Sequence, residues 1–132
     1  MLKMLELAAK IALPTTHNDP RNFLLGCVGI RSDGTTVTGR NGAVEYSAND
    51  TNYQLVPSSH AEGRVLRKLG KYGTLYVARV LKRDGSLAMA RPCMMCQTRI
   101  KSYKVEKVYY TIDPYHYGLF LPQLGIDKIY NV

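Results

Sequence analysis

The chain has no internal repeat, no low-complexity segment and no linker-like stretch. Solenoid, fibrous and multidomain architectures are therefore set aside, and residues 1–132 are expected to form one domain. At 132 residues and 45% hydrophobic content, a single core is enough. No run reaches the roughly eighteen uncharged apolar residues that a membrane-spanning helix needs, so no membrane partner is expected. The opening "MLKMLELAAKIALP" is broken by Glu6 and Lys10 and lacks a following small-residue cleavage site. It fits an amphipathic helix better than a secretory signal. Cysteine is scarce at three residues, two of them in "CMMC". That is too few for a disulfide framework and favours a reducing, cytoplasmic setting with metal or redox chemistry. Acidic residues are also few, 10 against 18 Lys and Arg.

The resulting charge of +8 is concentrated. Between Glu62 and Val108 only Glu62, Asp84 and Glu106 oppose Arg64, Arg67, Lys68, Lys71, Arg79, Lys82, Arg83, Arg91, Arg99, Lys101, Lys104 and Lys107. A basic centre of this kind suits an anionic partner, either a nucleotide phosphate or a polynucleotide, although solvated helix faces also collect such residues.

Helix-like and strand-like segments alternate. After the first helix, "PTTHNDPRN" reads as a loop, "FLLGCVGIR" as a strand, and "SDG" as a turn into a second strand, "TTVTG", which predicts a hairpin. The polar stretch from Arg40 to Ser59 has no clear period and is long enough for a functional lid or binding loop. From His60 a helix is expected, with Ala61, Val65, Leu66 and Leu69 on one face and an end near Gly70. "TLYVARVLK" reads as a central strand covered on both sides, "CMMCQTRIKSY" as a helix begun at Pro92, and "VEKVYYTI" as the fourth strand. "YGLFLPQLGI" is long enough for a short crossover, which would let a final strand "KIYNV" pair in parallel. The sum is an α/β sandwich around one mixed sheet.

Cys93 and Cys96 lie three apart at a helix start, so their sulfurs share a face, and the helix dipole favours thiolates there. His60, at another helix start, could supply a third ligand. Three donors leave a tetrahedral zinc one open position, the mark of a catalytic site, and zinc lowers the pKa of water in that position toward neutrality. Glu62, not needed as a ligand, is free to move protons. A structural zinc would need a fourth donor, such as His17 or His116, and would leave Glu62 unexplained. Cys27, in "LLGCVGI", reads as a small buried apolar residue.

"HAE" at 60–62 followed by "PCMMC" at 92–96 resembles the zinc-dependent cytidine/deoxycytidylate deaminase superfamily, with its H-x-E…P-C-x-x-C signature. The tail from "VEKVYYTIDPYHYG" onward looks closest to the deoxycytidylate and polynucleotide deaminase branches. The resemblance implies a three-layer cytidine-deaminase-like fold, a mixed five-stranded sheet with helices on both faces. It implies zinc held by His60, Cys93 and Cys96, with Glu62 catalytic in the hydrolysis of a cytosine nucleotide, deoxycytidylate-like, to its uracil form. Cytosine or adenine in single-stranded DNA or RNA is the alternative substrate, a non-catalytic zinc module is a third reading, and homo-oligomerisation is expected.

"TVTGRNG" resembles the family's strand into a substrate-contacting asparagine, which maps to Asn41; Asn-Gly is also an ordinary turn signal. Ala61, between the two motif residues, is expected at the substrate pocket. Arg91, directly before "PC", would stand at the mouth of the site, where it could meet a phosphate. Tyr115, in the loop beyond the fourth strand, is a candidate for stacking on a base. Tyr109 and Tyr110 alternate across the sheet, so at most one of them faces any site.

Overall fold

The computed structural model describes residues 1–42 and 60–132. The expected lid or binding loop between Arg40 and Ser59 lies outside these residues beyond Gly42. Helix α1 (Lys3–Ala12) buries Leu5, Ala8 and Ala12, as its period requires. Strands β1 (Leu24–Ile30) and β2 (Thr36–Arg40) form the expected antiparallel hairpin. Helix α2 (Ala61–Leu69) stops at Gly70, whose φ of 74° suits glycine. Then follow β3 (Thr74–Val80), the two-residue β4 (Leu87–Ala88), α3 (Met94–Ser102), β5 (Lys107–Asp113), β6 (His116–Leu121) and β7 (Ile126–Asn131).

The strands make one sheet in the order β2-β1-β3-β5-β6-β7, with β4 paired to the end of β3. Pairing is mixed, parallel between β3 and β5 and antiparallel elsewhere. Side-chain alternation gives the sheet two working faces. Cys27, Leu75, Val77, Val108, Tyr110 and Phe120 share a core cluster with Val65, Leu66 and Ile100 of α2 and α3. Val28 and Ala78 face the other way and pack with Ala8 of α1. At Gly26 a Cβ would run into the Ala8 carbonyl oxygen and come within 2.7 Å of the Ala12 nitrogen. The missing side chain is what lets α1 lie directly on β1.

The α/β architecture with helices on both faces is as the sequence implied, and β3 is central as expected. The strand count is corrected, from five to seven among the described residues. The connection after β5 is corrected too. It is not a crossover to a parallel strand but a meander in which β6 pairs antiparallel with both β5 and β7. The physical reason is that two prolines divide the segment. Pro114 sits in the turn after β5, and Pro122 opens the next turn, closed by Gly125 at φ 66° with its N–H on the Leu121 carbonyl at 2.9 Å. Each piece left over has strand length, and Leu119 and Phe120 bury themselves on opposite faces.

Strands β2 and β3 both run opposite to β1, so their carboxyl ends share one edge of the sheet. The amino ends of α2 and α3 arrive at the same edge, and the site is built there.

Candidate active site

His60 is the N-cap of α2 and Cys93 the N-cap of α3, and neither side chain caps its own helix. Both are turned toward each other instead. Nδ1 of His60 stands 3.3 Å from Sγ of Cys96 and 3.8 Å from Sγ of Cys93. The three donor atoms all lie within 4.8 Å of one another. A tetrahedral zinc, with Zn–S about 2.3 Å and Zn–N about 2.0–2.1 Å, sets the S to N separation near ~3.6 Å. The two observed separations bracket that value, so the donor set fits zinc in spacing as well as in chemistry. Among the described residues no fourth His, Cys or carboxylate joins the group. His116, one of the alternatives, pairs with Asp113 at 2.9 Å.

Burial pushes the Cys96 thiol far up, with repulsion from Glu62 and Cys93 added. Burial also raises Glu62, partly offset by hydrogen bonds from its own backbone N–H and from the Cys96 thiol, and lowers His60. Two sulfurs and a carboxylate packed this closely call for a cation, and a neutral imidazole is the form that ligates one.

Above these groups opens a cavity of about 350 Å³ lined by the site residues His60, Glu62 and Cys93, with Asn41, Arg79 and Arg91 among its polar walls. The size is at the lower end for small-ligand sites. Glu62 is only 4% exposed, and its carboxyl faces this space from the first turn of α2.

The structure treats the four expected substrate contacts differently. Asn41 lines the cavity with its amide largely committed. Its Oδ1 accepts from the Leu25 N–H at 2.9 Å and from Arg21 Nη1 at 3.1 Å, and its Nδ2 donates to the Phe23 carbonyl at 2.7 Å. One N–H of the two remains for a ligand. Arg91 also lines the cavity, but Asp127 of β7 holds it in a two-pronged pair, Nε to Oδ1 at 3.1 Å and Nη2 to Oδ2 at 2.7 Å. Ala61 is fully buried in the core and is not a wall residue. Tyr115 is 73% exposed on the β5–β6 turn, at the same edge of the sheet but outside the lining. Of the two strand tyrosines only Tyr110 turns toward the site side, giving its hydroxyl to Asp127 at 2.7 Å. Tyr109 stacks on Tyr76 on the opposite face, with centroids 5.0 Å apart.

Three contributors were not singled out from the sequence. Arg79, at the end of β3, lies over the Phe23 ring at 4.8 Å, and its buried Nε has no hydrogen-bond partner among the described residues. Arg21, 4% exposed, clamps Asp19 and reaches both Asn41 and the Ala12 carbonyl, at 2.7 Å for the latter. It holds Asp19 down at a pKa of about 2 by hydrogen bonding and so ties the loop after α1 to the cavity wall. Asp127 is the third. Only Arg79 carried a readable signal, a charged residue at a position whose alternation with Leu75 and Val77 turns it toward the site face.

A family model described as the cytidine and deoxycytidylate deaminase zinc-binding region matches residues 2–112. No curated protein matches the chain.

Proposed function

This chain belongs to the family of cytidine and deoxycytidylate deaminases, and on that premise we propose that residues 1–132 form one domain that hydrolyses a cytosine nucleotide, deoxycytidylate-like, to the uracil form and ammonia. The observation that carries this reading is a buried carboxyl, Glu62, facing the same cavity as a three-donor zinc site. His60, Cys93 and Cys96 would hold the zinc, which supplies Lewis acidity and water activated at neutral pH.

Glu62 takes one proton from the attacking water and delivers it to the ring nitrogen next to the reacting carbon. It then takes the second from the newly added hydroxyl and passes it to the amine, which departs as ammonia as the C–N bond breaks and the carbonyl forms. Its burial supports this role, since a carboxyl with a raised pKa takes up a proton more readily and titrates closer to neutral pH, where it can serve in turn as base and as acid. The overall balance is one water consumed and one ammonia released. The remaining N–H of Asn41 is placed to orient the nucleotide, and Arg79 is the cation best placed for a phosphate, because Arg91 is already neutralised by Asp127. Tyr115 is left a role only for a substrate that extends beyond the cavity. The second reading, a base within single-stranded DNA or RNA, is favoured by a basic groove next to the site. A purely structural zinc is disfavoured by the missing fourth donor among the described residues.

The test is a purified preparation with its zinc content measured, offered cytidine, deoxycytidylate, adenosine nucleotides and single-stranded oligonucleotides. Glu62→Gln is expected to keep about one zinc per chain and lose about 10²–10⁴-fold in turnover. A Glu62→Gln protein that turns over as the parent does would overturn the assignment.

A further inference from the structure

Beside the catalytic cavity runs a second concavity of about 590 Å³, lined by Gly39, Arg40, Arg64, Arg67 and Lys68. It lies between β2, an edge strand of the sheet among the described residues, and the exposed face of α2. Among the described residues its wall holds four cations and no acid. Two of them are steadied by neutral groups: Lys68 Nζ donates to the Thr38 carbonyl at 2.6 Å, and Arg40 Nη1 donates to the Leu13 carbonyl at 3.1 Å. Arg67 makes no hydrogen bond or ion pair among the described residues. A helix face kept for solubility is convex and mixes both signs of charge. Among the described residues this wall is concave and of one sign.

We propose that the groove is a track for the phosphates of single-stranded nucleic acid, with the target base in the catalytic cavity and the flanking backbone along α2. Continuity carries the step from charge to strand. Gly42 lines the catalytic cavity, and any side chain there would run into the Arg64 guanidinium, which lines the groove. The two concavities therefore meet at one residue contact. From Glu62 to Lys68 the helix advances about 9 Å at about 1.5 Å per residue. A mononucleotide seated by its base at Glu62 stops short of the far cations, whereas the next phosphates of a strand reach them. The inference rests on the deaminase reading for what enters the cavity, but its readout needs no turnover.

The experiment measures binding of a fluorescein-labelled, cytosine-free thymidine oligonucleotide by anisotropy across a salt series, with the full zinc-loaded chain. The variant Arg67→Gln/Lys68→Gln is compared with Lys3→Gln/Lys10→Gln, which removes an equal charge from the exposed side of α1. The groove variant is expected to bind about tenfold or more weakly at low salt, with the slope of log K against log salt flatter by about 1.4, two single-strand phosphate contacts at ~0.7 each. The α1 variant is expected to leave the slope unchanged, and both should keep the parent's mononucleotide turnover and circular dichroism. An unchanged slope in the groove variant, equal losses in both variants, or no binding by the parent protein would overturn the proposal. So would displacement of the oligonucleotide by inorganic phosphate at matched ionic strength, which would mark an ion site in place of a strand track. If no substrate is deaminated, the binding series still decides the groove; if the groove fails, the mononucleotide assay still decides the chemistry.

Discussion

Replacing Asp127 by asparagine tests how the tail is joined to the site. The carboxylate accepts three hydrogen bonds, from Arg91 Nε at 3.1 Å, from Arg91 Nη2 at 2.7 Å and from the Tyr110 hydroxyl at 2.7 Å. Asparagine keeps one oxygen and turns an N–H₂ toward the guanidinium, so at least one charge-assisted bond is lost and the cation goes uncompensated. Such bonds contribute about 1.5–3 kcal/mol when protected and exposed pairs about 0.2–1 kcal/mol. The two side chains here are 39% and 29% exposed. The screening this implies places the loss at about 1–2 kcal/mol, or roughly 3–8 °C in Tm for a chain of this size.

The pH dependence of that loss follows from linkage. Hydrogen bonds from Arg91, the larger cause, and from Tyr110 hold the Asp127 carboxyl below its ordinary value of 3.8. Its contribution is therefore complete above the unfolded-state value and disappears as the pH falls through the depressed folded value. Calorimetric melts of parent and variant at pH 7, 5, 4 and 3 should show a constant gap at the two higher values and a closing gap at the two lower. Equal melting points at pH 7, or a gap that widens in acid, would refute the reasoning.

Two further substitutions are informative. Arg79→Met, which keeps the contact with Phe23 but removes the charge, should raise KM for a phosphate-bearing substrate about tenfold or more and leave the corresponding nucleoside within about twofold, the value of one charged hydrogen bond. Equal effects on both substrates would show that Arg79 is a packing residue only. Gly26→Ala should cost about 3 kcal/mol or prevent folding, because the new methyl meets the α1 backbone, not the end of a flexible side chain. A urea midpoint within error of the parent would show that α1 can move away.

The grouping of His60, Cys93 and Cys96 beside Glu62 was legible in the sequence because its information is local. A helix start fixes the direction of the residues around it, so His60 with Glu62, and Cys93 with Cys96, are matched by spacing alone. Gly70 marked the end of α2 for the same reason. The meander was hidden because a stretch punctuated by two prolines was read as one connection, when each proline marks a turn of its own. The Arg91–Asp127 pair was invisible because its members are 36 positions apart, and each alone is an ordinary surface charge. Asn41 shows the limit from the other side. Its position beside the cavity followed from the resemblance, whereas the backbone groups and Arg21 that occupy its amide are brought there only by the closed fold.

The family match ends at Ile112, so the hairpin of β6 and β7 lies beyond the region that defines the family. It nevertheless reaches back through Asp127 to set the net charge at the cavity mouth. The three metal donors with Glu62 and the counter-charge thus sit on separate lengths of chain. Exchanging the last two strands would retune what the cavity admits, cationic rim or neutral rim, while His60, Glu62, Cys93 and Cys96 stayed in place.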